Sequence, residues 1–208
     1  MKPQLVIAFY NENINWIKPL INKYDIYIYH KGDKIPDFVN KLIKKNKIKY
    51  KKLKNVGRES HSYIYHILKY EDNLPDKIFF TQAEPFDHIE TNELSNEQNF
   101  YNILDDFFEN DYDFKGYGKK HWEWERGLGN KVVTMEKLWS DMFVPQIYNF
   151  KFNNGGIFGV QKYKILCRNR DFYKYCLYSL DKEKNPMEGF CFERLWSIIF
   201  DKNIISKI

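Results

Sequence analysis

The sequence lacks the features that mark membrane-spanning, secreted and disulfide-stabilised proteins. No stretch approaches the run of about 18 apolar residues that a transmembrane helix needs. The N-terminus lacks the basic and then apolar pattern of a signal peptide. Cysteine is scarce, because Cys167, Cys176 and Cys191 are the only ones and form no CxxC pair. Such a set predicts neither a disulfide framework nor a zinc site. We therefore expect a cytoplasmic protein without a transmembrane segment.

Arginine is also scarce, although the chain is basic. Five of the 33 basic side chains are arginine, and the net charge at pH 7 is +5. Specific nucleic-acid readers rely on the bidentate guanidinium group, so we expect no specific nucleic-acid partner. The densest basic stretch, Lys41 to Lys54, is typical of a solvated helix face followed by an edge strand. The alternative is a patch that binds phosphate backbones or an anionic membrane surface.

Several catalytic and nucleotide-binding motifs are missing from the sequence. No GxGxxG follows the first predicted strand, which argues against a Rossmann dinucleotide site. The P-loop pattern GxxxxGK[ST] does not occur, and neither GxSxG nor HExxH is present. These absences argue against P-loop nucleotide hydrolysis, α/β-hydrolase chemistry and HExxH metalloprotease chemistry.

The N-terminal half alternates between apolar strands and amphipathic helices. Its opening segment is almost wholly apolar, as in parallel strands covered on both faces. Short crossovers of this kind force parallel pairing and place helices on both faces of the sheet. The sequence therefore predicts one α/β domain over residues 1–208 with a mainly parallel open sheet. The predicted strands are Gln4–Tyr10, Asp25–His30, Ile48–Leu53 and Lys77–Gln82, and the predicted helices are Asn15–Asn22, Asp37–Lys45 and Arg58–Tyr70.

The C-terminal half is less regular. Residues Tyr112 to Asn130 are aromatic and glycine-rich and predict a long loop, and such loops in compact domains are usually functional. A strand is predicted over Ile157–Val160, after a polar turn with two glycines. The predicted helices are Asn99–Phe108, Thr134–Met142, Tyr163–Leu180 and Gly189–Phe200.

Polar side chains follow each predicted strand of the N-terminal half. Tyr10 and Asn11 follow the first strand, Lys31 the second, Asn55 to His61 the third, and Gln82 to His88 the fourth. Loops are polar in most proteins. In open parallel sheets, however, ligands bind at the carboxyl ends of the strands. Four consecutive polar strand ends therefore predict a ligand site at this edge of the sheet.

The segments YNEN, NVGRESHSY, FFTQAEPFDH, NNGGIFGV and FERLW together resemble GT-A glycosyltransferases. They are most similar to a small family of viral capsid glycosyltransferase domains and related uncharacterised fungal and bacterial proteins. The resemblance spans Leu5 to Phe200. It implies a single GT-A-like domain, in which residues 1–90 bind a nucleotide sugar and residues 91–208 form the acceptor side.

The resemblance implies a glycosyltransferase in the cytoplasm, or in the host cytoplasm if the protein is viral. The donor would be a nucleotide-diphosphate sugar, with a UDP-sugar as the first candidate. The acceptor would be a hydroxyl group of a glycan or glycoprotein. The alternative is a non-catalytic module, derived from such an enzyme, that keeps affinity for a nucleotide or a glycan. The residues implied in donor binding are Tyr10, Asn11, Lys31, Gly57, Arg58 and Gln82.

Two of these residues have a second interpretation. The guanidinium group of Arg58 matches the oxygens of a diphosphate, but it could instead form an ion pair with Glu59 or Glu71. The amide of Asn11 either binds the base of the nucleotide or satisfies a turn.

The chain departs from the family at the expected metal motif. Gln82-Ala83-Glu84 stands where a typical member has Asp-x-Asp. Glu84, Asp87 and His88 could coordinate Mn²⁺ or Mg²⁺, which would neutralise the charge that develops on the diphosphate leaving group. Alternatively, Gln82 and Glu84 form hydrogen bonds at the strand end, and Asp87 caps the next helix.

The resemblance also implies a catalytic base near the C-terminus. In inverting GT-A enzymes, a carboxylate at the start of the last long helix lies beneath the acceptor hydroxyl, and Glu193 fits that place. Glu188 is the second candidate. The alternative for Glu193 is an ion pair with Arg194 or another cation.

Two further segments are candidates for binding the acceptor. The turn formed by Asn154, Gly155 and Gly156 would let a sugar approach the backbone closely, because glycine has no side chain. The aromatic run His121 to Trp124 either stacks on a sugar ring or belongs to the core.

Overall fold

A computed structural model describes residues 2–119, 121–124, 130–144 and 150–208. None of the helices in these ranges is long and apolar enough to cross a membrane. The strands are β1 (Gln4–Phe9), β2 (Asp25–His30), β3 (Lys49–Lys52), β4 (Lys77–Gln82), β5 (Phe114–Gly116), β6 (His121–Trp124), β7 (Phe143–Val144), β8 (Phe150–Asn153), β9 (Phe158–Gln161) and β10 (Ile205–Ser206). The α-helices are α1 (Asp37–Lys44), α2 (Arg58–Tyr70), α3 (Asn96–Glu109), α4 (Asn130–Met142), α5 (Lys162–Ile165), α6 (Arg170–Leu180) and α7 (Met187–Ile199), and 3-10 helices cover Asn15–Leu20 and Glu71–Asn73.

The main sheet has six strands in the order β3–β2–β1–β4–β9–β5. Strands β1 to β4 run parallel to one another. Strand β9 is antiparallel to β4, and β5 is antiparallel to β9. Two small sheets pair β6 with β8 and β7 with β10. The protein is therefore a single α/β domain with a mostly parallel sheet flanked by helices, which confirms the predicted fold class.

The central strands β1 and β4 divide the core into two layers. Every residue of β1 is buried, because both faces of the strand are covered. Val6 and Phe80 belong to one apolar cluster, which includes side chains of α2, α6 and α7. Leu5 and Phe79 belong to the other cluster, which includes side chains of α1 and α3. Alternate residues of each strand thus supply opposite layers, as the two-residue period of a strand requires.

Most elements of the N-terminal half lie where the sequence predicts them. Helix α2 and strand β4 have the predicted bounds. The stretch Lys41 to Lys54 forms the end of α1 and the edge strand β3, as predicted. The predicted helix at Asn15–Asn22 is a 3-10 helix instead, and Pro19 inside it lacks the N–H that an α-helix would use.

The long loop predicted from Tyr112 to Asn130 is wrong. This segment contains β5 and β6, and α4 begins at its last residue. Both strands pair with partners that come much later in the chain, β5 with β9 and β6 with β8. Local sequence gives little sign of such pairing. Part of the segment, Lys120 and residues 125–129, lies outside the described residues.

The single helix predicted over Tyr163–Leu180 is also wrong, since the chain forms α5 and α6 with a break between them. Asn169 caps α6 by accepting a hydrogen bond from the backbone N–H of Phe172 at 2.9 Å. Buried Arg168 turns inward at the break and donates to carbonyl groups at and beyond the end of α7, including Ile199 at 2.8 Å. An N-cap and a carbonyl-binding arginine therefore end one helix and begin the next.

Candidate functional site

A cleft of about 250 Å³ lies at the carboxyl ends of β1 and β4. These strands are neighbours at the point where the strand order reverses, because β2 and β3 lie on one side of β1 and β4 lies on the other. Ligands of open α/β sheets bind at such a point. The cleft is lined by Ala8, Phe9, Tyr10, Glu12, Lys31, Asn55, Arg58, Glu59, Gln82, Lys184 and Asn185.

The cleft brings together four of the six residues implied in donor binding: Tyr10, Lys31, Arg58 and Gln82. Asn11 is not among its lining residues. Its Oδ1 accepts hydrogen bonds from the backbone N–H groups of Asp33 at 3.1 Å and Lys34 at 3.3 Å, as its interpretation as a turn residue predicts. Donor binding by Asn11 stays a prediction.

Lys31 is the buried cation of the cleft. Its Nζ donates to the backbone carbonyl of Val56 at 2.5 Å and to that of Arg58. Burial lowers the pKa of the Lys31 ammonium group to about 7, although the charges of Glu59 and Asp181 act in the opposite direction. Lys31 therefore fixes the loop before α2 and carries a charge that changes near neutral pH.

Gly57 and Arg58 bring the backbone close to α6 at the start of α2. Gly57 has φ of +63° and Arg58 has φ of +52°, both in the left-handed region. A Cβ on Gly57 would lie 2.6 Å from the carbonyl oxygen of Leu180, so only glycine fits there. Left-handed backbone at a residue other than glycine is strained, and such strain is common at binding sites. Gly57 thus shapes the cleft, although it does not line it.

The guanidinium group of Arg58 is held on two sides. It lies 4.2 Å from the centre of the Phe190 ring, and its Nε lies 3.5 Å from Oε2 of Glu59. The ion pair with Glu59 is one of the predicted alternatives. The other is wrong, because Glu71 pairs with Arg170 at 2.6 Å. The Arg58 side chain keeps about 29% of its surface exposed and lines the cleft, so it remains accessible to a ligand.

Several lining residues were given no individual role in the sequence analysis, among them Glu59, Lys184 and Asn185. Glu59, whose side chain is only 9% exposed, was named within the polar strand end Asn55 to His61 and as an ion-pair partner of Arg58. Lys184 and Asn185 come from the segment before α7, and Nζ of Lys184 lies 5.2 Å from the centre of the Tyr10 ring. Glu59 belongs to a polar strand end and could have been included. Lys184 and Asn185 follow no strand, so the strand-end rule does not find them.

The two-glycine turn lies between Glu59 and Glu193. Oε1 of Glu193 accepts a hydrogen bond from the backbone N–H of Gly155 at 2.7 Å. A Cβ on Gly156 would lie 3.3 Å from Cγ of Glu59. Both glycines have positive φ, +93° for Gly155 and +58° for Gly156. The predicted base and the predicted acceptor turn are therefore in contact, next to the cleft.

Burial raises the pKa of the Glu59 carboxyl group, and the negative charge of Glu193 raises it further. The Arg58 guanidinium group partly offsets this rise. Arg194 was the alternative ion-pair partner for Glu193. Its guanidinium group donates a hydrogen bond to the carbonyl of Phe190 and lies 5.2 Å from the centre of the Phe152 ring.

Glu188 and Asn154 make other contacts. Glu188 forms an ion pair with Lys182 at 2.6 Å. The backbone of Asn154 packs against Gly118, and a Cβ added to Gly118 would clash with the carbonyl oxygen of Asn154. The side chains of His121 to Trp124 lie outside the described residues. A cavity beside Gly156 and Glu193 has about 20 Å³, room for little more than one water molecule.

The predicted metal ligands do not converge. Within the ranges that the structure describes, no group of three His, Cys, Asp or Glu side chains is placed to hold a metal ion. Burial raises the pKa of Glu84, as do the charges of Asp87 and Glu12. His88 packs against the backbone of Gly155, and a Cβ added to Gly155 would lie 2.8 Å from the Cβ of His88. These residues as placed do not fit one shared ion, and binding of Mn²⁺ or Mg²⁺ stays a prediction.

The interpretation of Asp87 as a helix cap is wrong. Helix α3 is capped by Ser95, whose hydroxyl oxygen accepts a hydrogen bond from the backbone N–H of Gln98 at 3.2 Å.

The fold and the cleft define an α/β protein with a cleft at the switch point of its sheet. Comparison with known families agrees on the extent of the domain. Residues 5–207 match a family described as a protein of unknown function (DUF3431), and the chain belongs to that family. No curated protein matches the sequence.

Proposed function

We propose that the protein is a glycosyltransferase that transfers a sugar from a nucleotide-diphosphate donor, with a UDP-sugar as the first candidate, to a hydroxyl group of a glycan or glycoprotein. The observation that carries the proposal is the cleft at the switch point, lined by Tyr10, Lys31, Arg58 and Gln82. Its volume of about 250 Å³ accommodates part of such a donor.

Three cations of the cleft supply charge for a diphosphate. Lys31, Arg58 and Lys184 line it together. Guanidinium and ammonium groups bind phosphate oxygens through charge-assisted hydrogen bonds. In this proposal these side chains bind the diphosphate and stabilise it as it leaves. Assistance by Mn²⁺ or Mg²⁺ is a separate prediction, and no step here depends on it.

Glu193 is the proposed general base. Its Oε1 is held by the Gly155 N–H at 2.7 Å, which fixes the carboxylate beside the acceptor turn. As the oxygen of the acceptor hydroxyl bonds to the anomeric carbon, its proton passes to Oε2 of Glu193. The bond between that carbon and the diphosphate oxygen breaks, and the diphosphate takes the electron pair.

One observation favours the second candidate, a non-catalytic module that binds a nucleotide or glycan. Glu193 stabilises the Gly155 turn through its hydrogen bond, and this structural role would be needed even in an inactive descendant of an enzyme. Such a module would keep the cleft and its cations. It differs from the enzyme only in turnover.

A thermal-shift screen with UDP-, GDP- and dTDP-sugars, with and without Mn²⁺, tests the proposal. We expect one nucleotide sugar to raise the melting temperature and an oligonucleotide to have no effect. A transfer or hydrolysis assay then separates the enzyme from the binding module. If no nucleotide sugar stabilises the protein, the glycosyltransferase and the nucleotide-binding form of the module are both wrong for this cleft.

Arg58→Ala sharpens the test. We expect it to weaken binding of the donor by about 1.5–3 kcal/mol, since it removes a charge-assisted hydrogen bond. Arg170→Ala is the matched control, because Arg170 forms an exposed ion pair outside the cleft. Equal affinities for the two variants would contradict the placement of the diphosphate.

A further inference from the structure

Three buried polar atoms without a hydrogen-bond partner belong to side chains that line the cleft. They are Nε of Arg58, Oε1 of Glu59 and Nε2 of Gln82. The ion pair between these residues joins Nε of Arg58 to Oε2 of Glu59 at 3.5 Å, so it is too long to satisfy Nε and does not involve Oε1. Buried polar groups in proteins are almost always paired, so a group of unpaired atoms on one wall points to a ligand that completes them.

The chemistry of Glu59 and Gln82 indicates what kind of ligand group fits. An ionised diphosphate only accepts hydrogen bonds, and a buried carboxylate repels it. A sugar hydroxyl both donates and accepts, so it can pair with an amide and with a carboxyl group. Burial raises the pKa of Glu59, which favours the protonated carboxyl group and gives it a donor as well. Glu59 and Gln82 then both offer hydrogen-bond donors and acceptors to the hydroxyl groups of a ligand.

Lys31 and Lys184 contact groups other than Glu59 and Gln82. Nζ of Lys31 binds two carbonyl groups of the loop before α2, and Lys184 lies by the Tyr10 ring. Glu59 packs against the two-glycine turn, where a Cβ on Gly156 would lie 3.3 Å from the Glu59 Cγ. That turn also binds Glu193, the proposed base, so a sugar beside Glu59 would present its anomeric carbon near the acceptor side.

We propose that Glu59 and Gln82 bind the hydroxyl groups of the donor sugar, and that Glu59 determines which sugar is accepted. This inference rests on the proposed function and adds to it the residues that recognise the sugar ring. Arg58, whose Nε lies 3.5 Å from Oε2 of Glu59, contacts the diphosphate in this proposal. Glu59 is thus a specificity-determining residue, separate from the base and from the phosphate contacts.

Isothermal titration tests the inference with UDP, UDP-glucose, UDP-galactose and UDP-N-acetylglucosamine. The readout is the ratio of the dissociation constants for UDP and for the best UDP-sugar. We expect the wild type to prefer one UDP-sugar over UDP. Glu59→Ala should lower this ratio about tenfold or more while the affinity for UDP stays within about twofold, because the ligand contacts that it removes are those to the sugar.

Further variants make the test independent of folding. Glu59→Gln keeps a side chain of nearly the same shape and should change the order of preference among the three sugars. Gln82→Ala should lower the same ratio, because it removes the amide contact with the sugar. Glu90→Gln, at an exposed glutamate outside the cleft, is the matched control and should change neither affinity.

The possible results separate this inference from the proposed function. If the wild type binds UDP and a UDP-sugar equally well, or if the variants at Glu59 and Gln82 leave the ratio unchanged, the sugar subsite is wrong and the nucleotide site stands. If these variants weaken UDP and UDP-sugar equally, Glu59 acts structurally, and the inference is again wrong. If the wild type binds neither UDP nor any UDP-sugar, the proposed function itself fails.

Discussion

Lys31 gives the proposed donor site a pH dependence that can be measured. Its ammonium group is buried beneath the cleft, bound to two backbone carbonyls, and burial lowers its pKa to about 7. An anionic ligand in the cleft would favour the charged form and raise this pKa. Binding therefore takes up a proton, and proton uptake is favoured as the pH falls.

The size of the effect follows from the pKa. With a value of about 7, the ammonium group is about nine-tenths protonated at pH 6 and about one-tenth protonated at pH 8. If the ligand binds only the protonated form, its affinity should fall about tenfold between these pH values, or about 1.4 kcal/mol. The bridged and esterified phosphates of a UDP-sugar keep their charge over this range, so the change comes from the protein.

Titration of a UDP-sugar at pH 6, 7 and 8 checks this prediction. Lys31→Met keeps the length of the side chain without its charge and should bind weakly at all three values, with a flatter dependence on pH. Lys52→Met is the matched control, because Lys52 also donates to a backbone carbonyl, that of Gly32, but does not line the cleft. The reasoning fails if the wild type shows no such fall, or if Lys31→Met keeps the whole of it.

Three further results are expected. Glu193→Gln should lower the rate of transfer about a hundredfold or more while donor binding persists. Glu188→Gln should leave turnover near that of the wild type. The opposite pattern in a rate assay would assign the base to Glu188. Gly57→Ala should lower the free energy of unfolding in urea by about 2 kcal/mol, since it forces a side chain into left-handed backbone. Gly189→Ala, inside α7, is the control and should lower the free energy of unfolding much less. Burial lowers the pKa of His66 to about 3, so the unfolded chain binds a proton below pH 6.5 that the folded chain excludes. Stability should therefore fall by about 2.5 kcal/mol from pH 7 to pH 4.5 in a denaturation series, and His66→Gln should remove that part of the fall.

The parallel half of the fold could be predicted because each of its elements carries its own local signal. The strand Lys77–Gln82 is a short apolar run after a proline turn, and the helix Arg58–Tyr70 shows apolar residues at helical spacing. Short crossovers between such elements leave only parallel pairing. These features depend on neighbours in sequence, and the structure confirms them.

The antiparallel edge of the sheet could not be predicted in the same way. Strand β5 has three residues and takes its strand form through pairing with β9, which lies more than forty residues later. The break between α5 and α6 depends on Arg168, which satisfies carbonyls at and beyond the end of α7. Tertiary partners of this kind override local preference.

The candidate site was predictable in part for the same reason. Tyr10, Lys31, Arg58 and Gln82 follow parallel strands, whose carboxyl ends meet at one edge of the sheet. Lys184 reaches the cleft from the segment before α7, and no strand precedes it. Its position depends on how α6 and α7 pack, which sequence patterns do not show.

The carboxyl groups of Glu59 and Glu193 both lie beside the two-glycine turn, Glu59 against Gly156 and Glu193 against Gly155. Like charges close together in a poorly solvated site cannot both be ionised at low cost. Burial and the charge of Glu193 raise the pKa of Glu59, whose Oε1 has no hydrogen-bond donor. The raised pKa favours the protonated form of Glu59, which donates as well as accepts and so suits a group that binds sugar hydroxyls. Glu193 accepts the Gly155 N–H at 2.7 Å, and this contact fixes its carboxyl group beside the acceptor turn, where the proposed reaction needs a general base.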